Sequence, residues 1–205
     1  MMKLHWSPRS PYVRKVMLAA HELGLADRIE RLRTVVAMSS ANAELIPDNP
    51  LNKIPTLVLE DGRVLFDSYV ILEYFDQISG RRPLIPADGD ARLAALRLHA
   101  LGSGFLDLLI LARNERDRPE GQKSQAHMEA FAFKRAATLR HLESEVATFA
   151  TDAIGIGEIA IGCALAYSDF RFAADPWRDR HPRLALWHEA FEARPAARAS
   201  QFKDG

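Results

Sequence analysis

The sequence predicts a two-part fold: a small α/β sandwich on a mixed four-stranded sheet, then an all-helical bundle domain. Three observations predict it. Strand and helix signals alternate through the first eighty residues. A segment carrying two prolines and a glycine, Arg81-Arg-Pro-Leu-Ile-Pro-Ala-Asp-Gly-Asp90, then reads as a linker. Beyond it there is no strand pattern and no Asn-Gly or Asp-Gly hairpin signal. Helical patterns run instead over 91–116, 124–148, 158–172 and 182–193. The predicted division is 1–80, a linker at 81–90, and a helical domain over 91–205.

Each N-terminal element has its own signal. Lys3-Leu-His-Trp6 is a short strand. Ser10-Pro11 then opens the stripe Val13, Val16, Met17, Ala20, Leu23, the spacing of one helix face. Serine suits the N-cap and proline the first helical position, where a missing N–H costs nothing. Gly24 suits the stop. Ile29 to Val36 is a β-branched second strand. Thr56 to Glu60 and Arg63 to Phe66 flank Asp61-Gly62, the strongest short hairpin signal. Asp67-Ser68 caps a further helix carrying Val70, Ile71, Tyr74, Phe75 and Ile78, which Gly80 ends. Pro55 stands directly before a strand, where a residue without an N–H is tolerated. An X-Pro bond in a tight turn there can be cis.

Composition narrows the function classes. The chain has 205 residues, 48% hydrophobic and 26% charged, which excludes a disordered or collagenous protein. Its 27 basic and 27 acidic residues balance, which argues against a nucleic-acid binder held by phosphate contacts. No apolar run approaches the ~18–20 residues that a bilayer span needs. The N-terminus lacks the apolar core of a signal peptide. One cysteine cannot form an internal disulfide, so the chain reads as soluble and of a reducing compartment. Cys163, inside Ile-Gly-Cys-Ala-Leu-Ala-Tyr, reads as a buried inert thiol. His99, His127, His141 and His188 are dispersed and predict no metal site. The charged face from Lys134 to Glu145, and Arg113 to Arg116, read as solvated.

Four motifs, in order and on the predicted elements, carry a resemblance. Ser10-Pro11-Tyr12 resembles a Cys-Pro-Tyr/Phe helix start, with serine in place of cysteine. Asn49-Pro50-Leu51-Asn52-Lys53-Ile54-Pro55-Thr56-Leu57 resembles an N-P-x-G/N-x-V/I-P-x-L turn. Asp67-Ser68 resembles a Glu/Asp-Ser pair before a helix. Ile156-Gly157-Glu158-Ile159-Ala160-Ile161-Gly162 resembles a G-D-I-A-L-G helix. Together they resemble the glutathione transferase superfamily, over nearly the whole chain. The resemblance implies a thioredoxin-like N-terminal domain, a cis bond before Pro55, glutathione as co-substrate, and a cytoplasmic homodimer in detoxification. Two departures stand out. Gly155 and Glu158 replace the usual Ser/Thr and Asp of a helical capping box, and glutamate at the third position is a legitimate partner there. Ser10 replaces the cysteine that thiol–disulfide exchange would use.

The resemblance further implies a site. Ser68 would offer a hydroxyl and a backbone N–H to the γ-glutamyl carboxylate. Asp67 would meet the γ-glutamyl ammonium. Ile54, before the cis Pro55, would pair with the cysteinyl backbone like an added strand. Lys53 would meet the glycyl carboxylate, or stay solvated. Ser10 would donate its hydroxyl hydrogen bond to the glutathione sulfur, with Ser7 as the rival donor. Arg14 could face the thiolate, but two residues into its helix it is expected to point outward. The second substrate, a small hydrophobic electrophile, would sit between the domains near Phe105, Leu106, Leu109 and Leu111, residues that equally suit a helical core, the favoured reading, or a dimer contact. Two other classes stay open: a glutathione-dependent lyase, dehalogenase or isomerase, and a non-catalytic binding module of the same fold.

Overall fold

The computed structural model describes residues 1–204. The chain forms two compact units, Met1–Ala87 joined by the residues from Pro195 onward, and Asp88–Arg194.

In the first unit, strands β1 (Met2–Trp6), β2 (Ile29–Arg33), β3 (Thr56–Val58) and β4 (Val64–Leu65) form one sheet in the order β2-β1-β3-β4. β2 runs parallel to β1, while β3 is antiparallel to both β1 and β4. The connection from β1 to parallel β2 crosses over through helix α1 (Pro11–Glu22), and helix α2 (Ser68–Ser79) follows β4. The predicted helix signals hold. Ser10 is the N-cap of α1, its Oγ accepting from Val13 N–H at 3.3 Å, and Pro11 opens the helix. Gly80 closes α2 at φ 63°, left-handed backbone that a residue without Cβ adopts freely. Leu4, Val16, Leu18, Leu57, Ile71, Leu72 and Phe75 form the core between the sheet and these helices.

The second unit holds helices α3 (Gly89–Arg116), α4 (Gln125–Glu145), α5 (Ile156–Arg171) and α6 (Pro182–Glu192). α3 and α5 form the principal helix pair. A Cβ at Gly102 would lie 2.7 Å from the Ala160 backbone, so only glycine allows this approach. Phe105, Leu106 and Leu109 are fully buried, the core role that the sequence left open, whereas Leu111 is exposed. α3 also corrects an expectation. Among the described residues it is the one helix long and apolar enough to cross a membrane, because charges such as Arg97 and Asp107 are too sparse to lower its average. A third of its most apolar stretch is buried in the fold, as suits the long helix of a bundle.

Two more expectations change. The predicted helical domain ran to residue 205, but the chain leaves the second unit after Arg194. A seventh helix, α7 (Pro195–Ala199), packs against α1 in the first unit. Arg14 is the cause. It does not point outward but is buried, donating to the Ala197 carbonyl at 3.3 Å and lying 4.9 Å from the Phe202 ring. Lys203 N–H adds a bond to the Pro8 carbonyl at 3.3 Å. Sequence periodicity carries no trace of a long-range anchor of this kind. Glu115 and Arg135 are likewise buried, Glu115 accepting from Ser124 N–H and Arg135 donating to Ser168 Oγ.

Candidate active site

The sheet register assembles the candidate residues. His5 pairs with Thr56, and Leu57 with Leu65. Continuing both ladders past the strand ends brings Ser7 and Ser68 to either side of Ile54, and Asp67 beside Pro55. The C-terminal ends of β1 and β4 and the N-terminal end of β3 therefore share one edge. Strands lie about 4.8 Å apart, so the row Ser7–Ile54–Ser68 spans about 10 Å, the reach of an extended tripeptide.

Three features leave hydrogen-bonding groups open along this row. The Ile54–Pro55 bond is cis, as the resemblance implies. Ile54 is buried, yet among the described residues neither its N–H nor its C=O has a hydrogen-bond partner. Buried backbone groups are nearly always paired, so an outside partner is called for. Ser68 is 2% exposed at the first position of α2, and its N–H and Oγ likewise find no partner among the described residues. Asp67 is the N-cap of α2 and accepts from Tyr69 N–H at 2.9 Å. One carboxylate oxygen holds the helix start, and the other remains for a cation.

The turn before Pro55 is held by residues whose part the sequence reading did not assign. Asn49, 1% exposed, donates from Nδ2 to the Lys53 carbonyl at 3.1 Å and to Thr56 Oγ at 2.9 Å. It also accepts from Leu51 N–H. Asn52, at φ 54°, exchanges two 2.8 Å bonds with the Asn42 backbone. The signal for both was the Asn-Pro-x-Asn spacing itself, since asparagine side chains replace backbone partners in turns. Lys53 is exposed, with its side chain in solvent.

The two serines differ in their partners. Ser10 Oγ accepts a neutral backbone N–H. Ser7 Oγ accepts from the Arg33 guanidinium at 2.8 Å and from Arg9 N–H at 3.4 Å. Each hydroxyl keeps its own proton to donate. Arg33 and Arg31 flank the Trp6 ring, at 6.0 and 5.4 Å from its centroid. Both serines also line a cavity of about 80 Å³ with Trp6, Met17, Arg31 and Lys203 among its walls. Burial, and then the Arg31 guanidinium, hold the nearby His21 imidazole below its ordinary pKa against the opposing pull of Asp27.

A thioredoxin-like unit with an open strand edge, followed by a helical unit, defines the class: a two-unit protein of the glutathione transferase fold. Residues 9–78 match the family model of the glutathione S-transferase N-terminal domain, and residues 125–190 match that of the C-terminal domain. GST-like protein YibF of Escherichia coli K12 is 32% identical over 186 residues, covering 89% of this chain and 90% of its own. A glutathione transferase family member from Pseudomonas fluorescens Pf-5, solved with bound glutathione, is 39% identical over the full length of both chains, with a TM-score of 0.96. A second structure from that organism, with S-(propanoic acid)-glutathione, is 37% identical over 99% of this chain and all of its own, with a TM-score of 0.91. The chain belongs to the glutathione S-transferase family.

Proposed function

We propose that the protein is a glutathione transferase that ionises the glutathione thiol at the start of α1 for attack on a small hydrophobic electrophile. The observation that carries this reading is the open row at the sheet edge. Among the described residues Ile54 has both backbone groups without a partner, and Ser68 has an N–H and a hydroxyl without one. A γ-glutamyl carboxylate at Ser68, its ammonium at Asp67 and a cysteinyl backbone on Ile54 satisfy all of them. Lys53 then meets the glycyl carboxylate. Structures of relatives holding glutathione and a glutathione thioether support the same reading.

The thiolate is the nucleophile, and a free thiol of pKa about 8.5 is only a few per cent ionised at pH 7. Lowering it by two units takes about 2.7 kcal/mol. A helix N-terminus supplies about 0.3–1 kcal/mol. A hydroxyl hydrogen bond to an anion adds about 1.5–3 kcal/mol. The two suffice without a cationic side chain, and Ser10 is the donor. A second reading gives that role to Ser7, whose bond from Arg33 polarises its hydroxyl more than a neutral amide polarises Ser10. The electrophile's carbon accepts the sulfur lone pair, the leaving group departs with its bonding electrons, and the thiol proton passes to solvent. The family reading carries with it a metal-free homodimer and a cytoplasmic setting, where thiols stay reduced.

Calorimetry of glutathione binding across pH tests this. The expected result is proton release near neutral pH in the wild type, lost in Ser10→Ala while binding persists. Equal release in both proteins transfers the role to Ser7. No binding at millimolar glutathione overturns the reading in favour of a non-catalytic module.

A further inference from the structure

The cavity beside the two serines lies on the far side of β1 from the glutathione row. The sheet order is β2-β1-β3-β4, with Ile54 and Ser68 at the β3–β4 side and Arg31 on β2. The turn from β1 into α1, with Ser7 and Ser10, is the part both regions share. A sulfur at that turn therefore has the tripeptide on one side and the cavity on the other. The group joined to sulfur sits in the cavity.

Its lining is uneven in charge. Trp6, Pro8, Val13, Met17 and Ala199 supply apolar surface. Arg14, Arg31 and Lys203 supply cations, and Ser200 a further polar wall. No carboxylate lines it among the described residues. Arg14 is engaged by Ala197 and Phe202. Arg31 and Lys203 are exposed, and neither side chain pairs with a carboxylate among the described residues. Arg31 lies 5.4 Å from the Trp6 ring centroid, and the Lys203 backbone is held by its bond to the Pro8 carbonyl. Two cations beside an aromatic wall suit an anion on an apolar body.

Resting on the transferase reading above, we propose that the second substrate is an anionic electrophile, an apolar or aromatic body whose carboxylate is held by Arg31 and Lys203 while its reactive carbon faces the glutathione sulfur. The C-terminal segment thus supplies substrate specificity, and the hydrophobic electrophile inferred from family resemblance gains a charge.

Two matched probes test this. The first pair is 4-chloro-3,5-dinitrobenzoate and its methyl ester, with glutathione. The thiolate attacks the chlorine-bearing carbon, the C–S bond forms, chloride leaves with the C–Cl electrons, and the thiol proton goes to solvent. With each rate divided by its uncatalysed rate, wild-type kcat/KM should favour the acid by about tenfold or more, one charge-assisted contact's worth. The acid-to-ester ratio should fall severalfold in Arg31→Gln, and to near one in Arg31→Gln/Lys203→Gln. Arg31→Lys should restore part of it, and added salt should erode it. The second pair, 3,5-dinitrobenzoate and its methyl ester, has no leaving group and is titrated by calorimetry without glutathione. Only the acid should bind, and the double variant should lose it. An acid-to-ester ratio near one in the wild type, or a preference unchanged in the double variant, overturns the proposal. Absent glutathione binding overturns the transferase reading instead, and the second pair still decides whether the cavity takes an anion.

Discussion

The two units differ in what they leave open at their helix starts. In the second unit glutamates reach three of them, although the cap of α4 itself is Ser124, whose Oγ accepts from His127 N–H at 3.3 Å. Glu115 accepts from Ser124 N–H at 2.6 Å ahead of α4. Glu158 accepts from Gly155 N–H at 2.9 Å and Ala150 N–H at 3.2 Å at α5. Glu143, on α4, accepts from Leu184 N–H at 2.8 Å and Arg183 N–H at 3.3 Å at α6. In the first unit the caps are Ser10 and Asp67, each taking one N–H, and Ser68 keeps its own N–H and hydroxyl open. A helix start attracts negative charge wherever the charge comes from. Where a glutamate takes these N–H groups the start is spent on stability. Where an N–H and a hydroxyl stay open, as at Ser68, the start is available to an outside anion.

The strongest break of this contrast is Glu158→Ala. It leaves two part-buried N–H groups without an acceptor, at about 1.5 kcal/mol each, or about 3 kcal/mol in all. Thermal unfolding should fall by about 6–12 °C for a chain of this size. Glutathione affinity of the folded protein should not move. Ser68→Ala should do the reverse. Loss of a hydroxyl bond to a carboxylate, about 2 kcal/mol, weakens glutathione by about thirtyfold in calorimetry. The melting temperature should hold within about 2 °C, since Ser68 Oγ has no partner to lose among the described residues. Equal and large melting losses in both variants would mean that Ser68 is a structural residue like Glu158, and the contrast would collapse.

The contrast also explains what was legible in the sequence. Local signals read correctly: Ser10-Pro11 as a helix start, Asp61-Gly62 as a hairpin, Gly80 as a stop, and Glu158 as a capping partner despite Gly155. Each depends on residues within four positions of one another. What stayed hidden is the long-range bonding. Arg14 reaches across 183 positions to Ala197, Arg33 across 26 to Ser7, and Glu143 across 41 to Leu184. No periodicity encodes such pairs. Glu115 therefore read as a solvated surface residue, and the cavity beside Ser10 was invisible because a third of its wall comes from the far end of the chain.

Glu143→Gln is a smaller break, about 1 kcal/mol at pH 7, the value of a helix cap. It carries a pH signature. Burial works to raise the Glu143 carboxyl, but bonds from Leu184 N–H and from Arg183 outweigh it and hold the carboxyl below its ordinary range. A carboxyl depressed on folding stabilises fully above its unfolded pKa, about 4.3, and that stability is lost as pH falls through the folded value. The gap between wild type and variant in urea unfolding should be constant from pH 7 to about 5, then close on further acidification. A gap that persists at pH 3 would mean that Glu143 acts through packing rather than charge.

The finest test is Gly155→Ser, which restores the cap that the motif usually carries. Gly155 has extended backbone at φ −109° and ψ −170°, which serine adopts without strain. Serine over glycine at an N-cap is worth only a few tenths of a kcal/mol, about 1 °C in thermal unfolding. The two arms of a capping box serve different donors. The serine hydroxyl takes the N–H of residue 158, while the Glu158 carboxylate takes the N–H of residue 155. The gain should therefore be nearly the same in the wild type and in Glu158→Ala. A gain that appears only in Glu158→Ala would show the two side chains competing for one donor. The closed starts of the second unit would then be set by total negative charge at the helix end, and not by donors matched one to one.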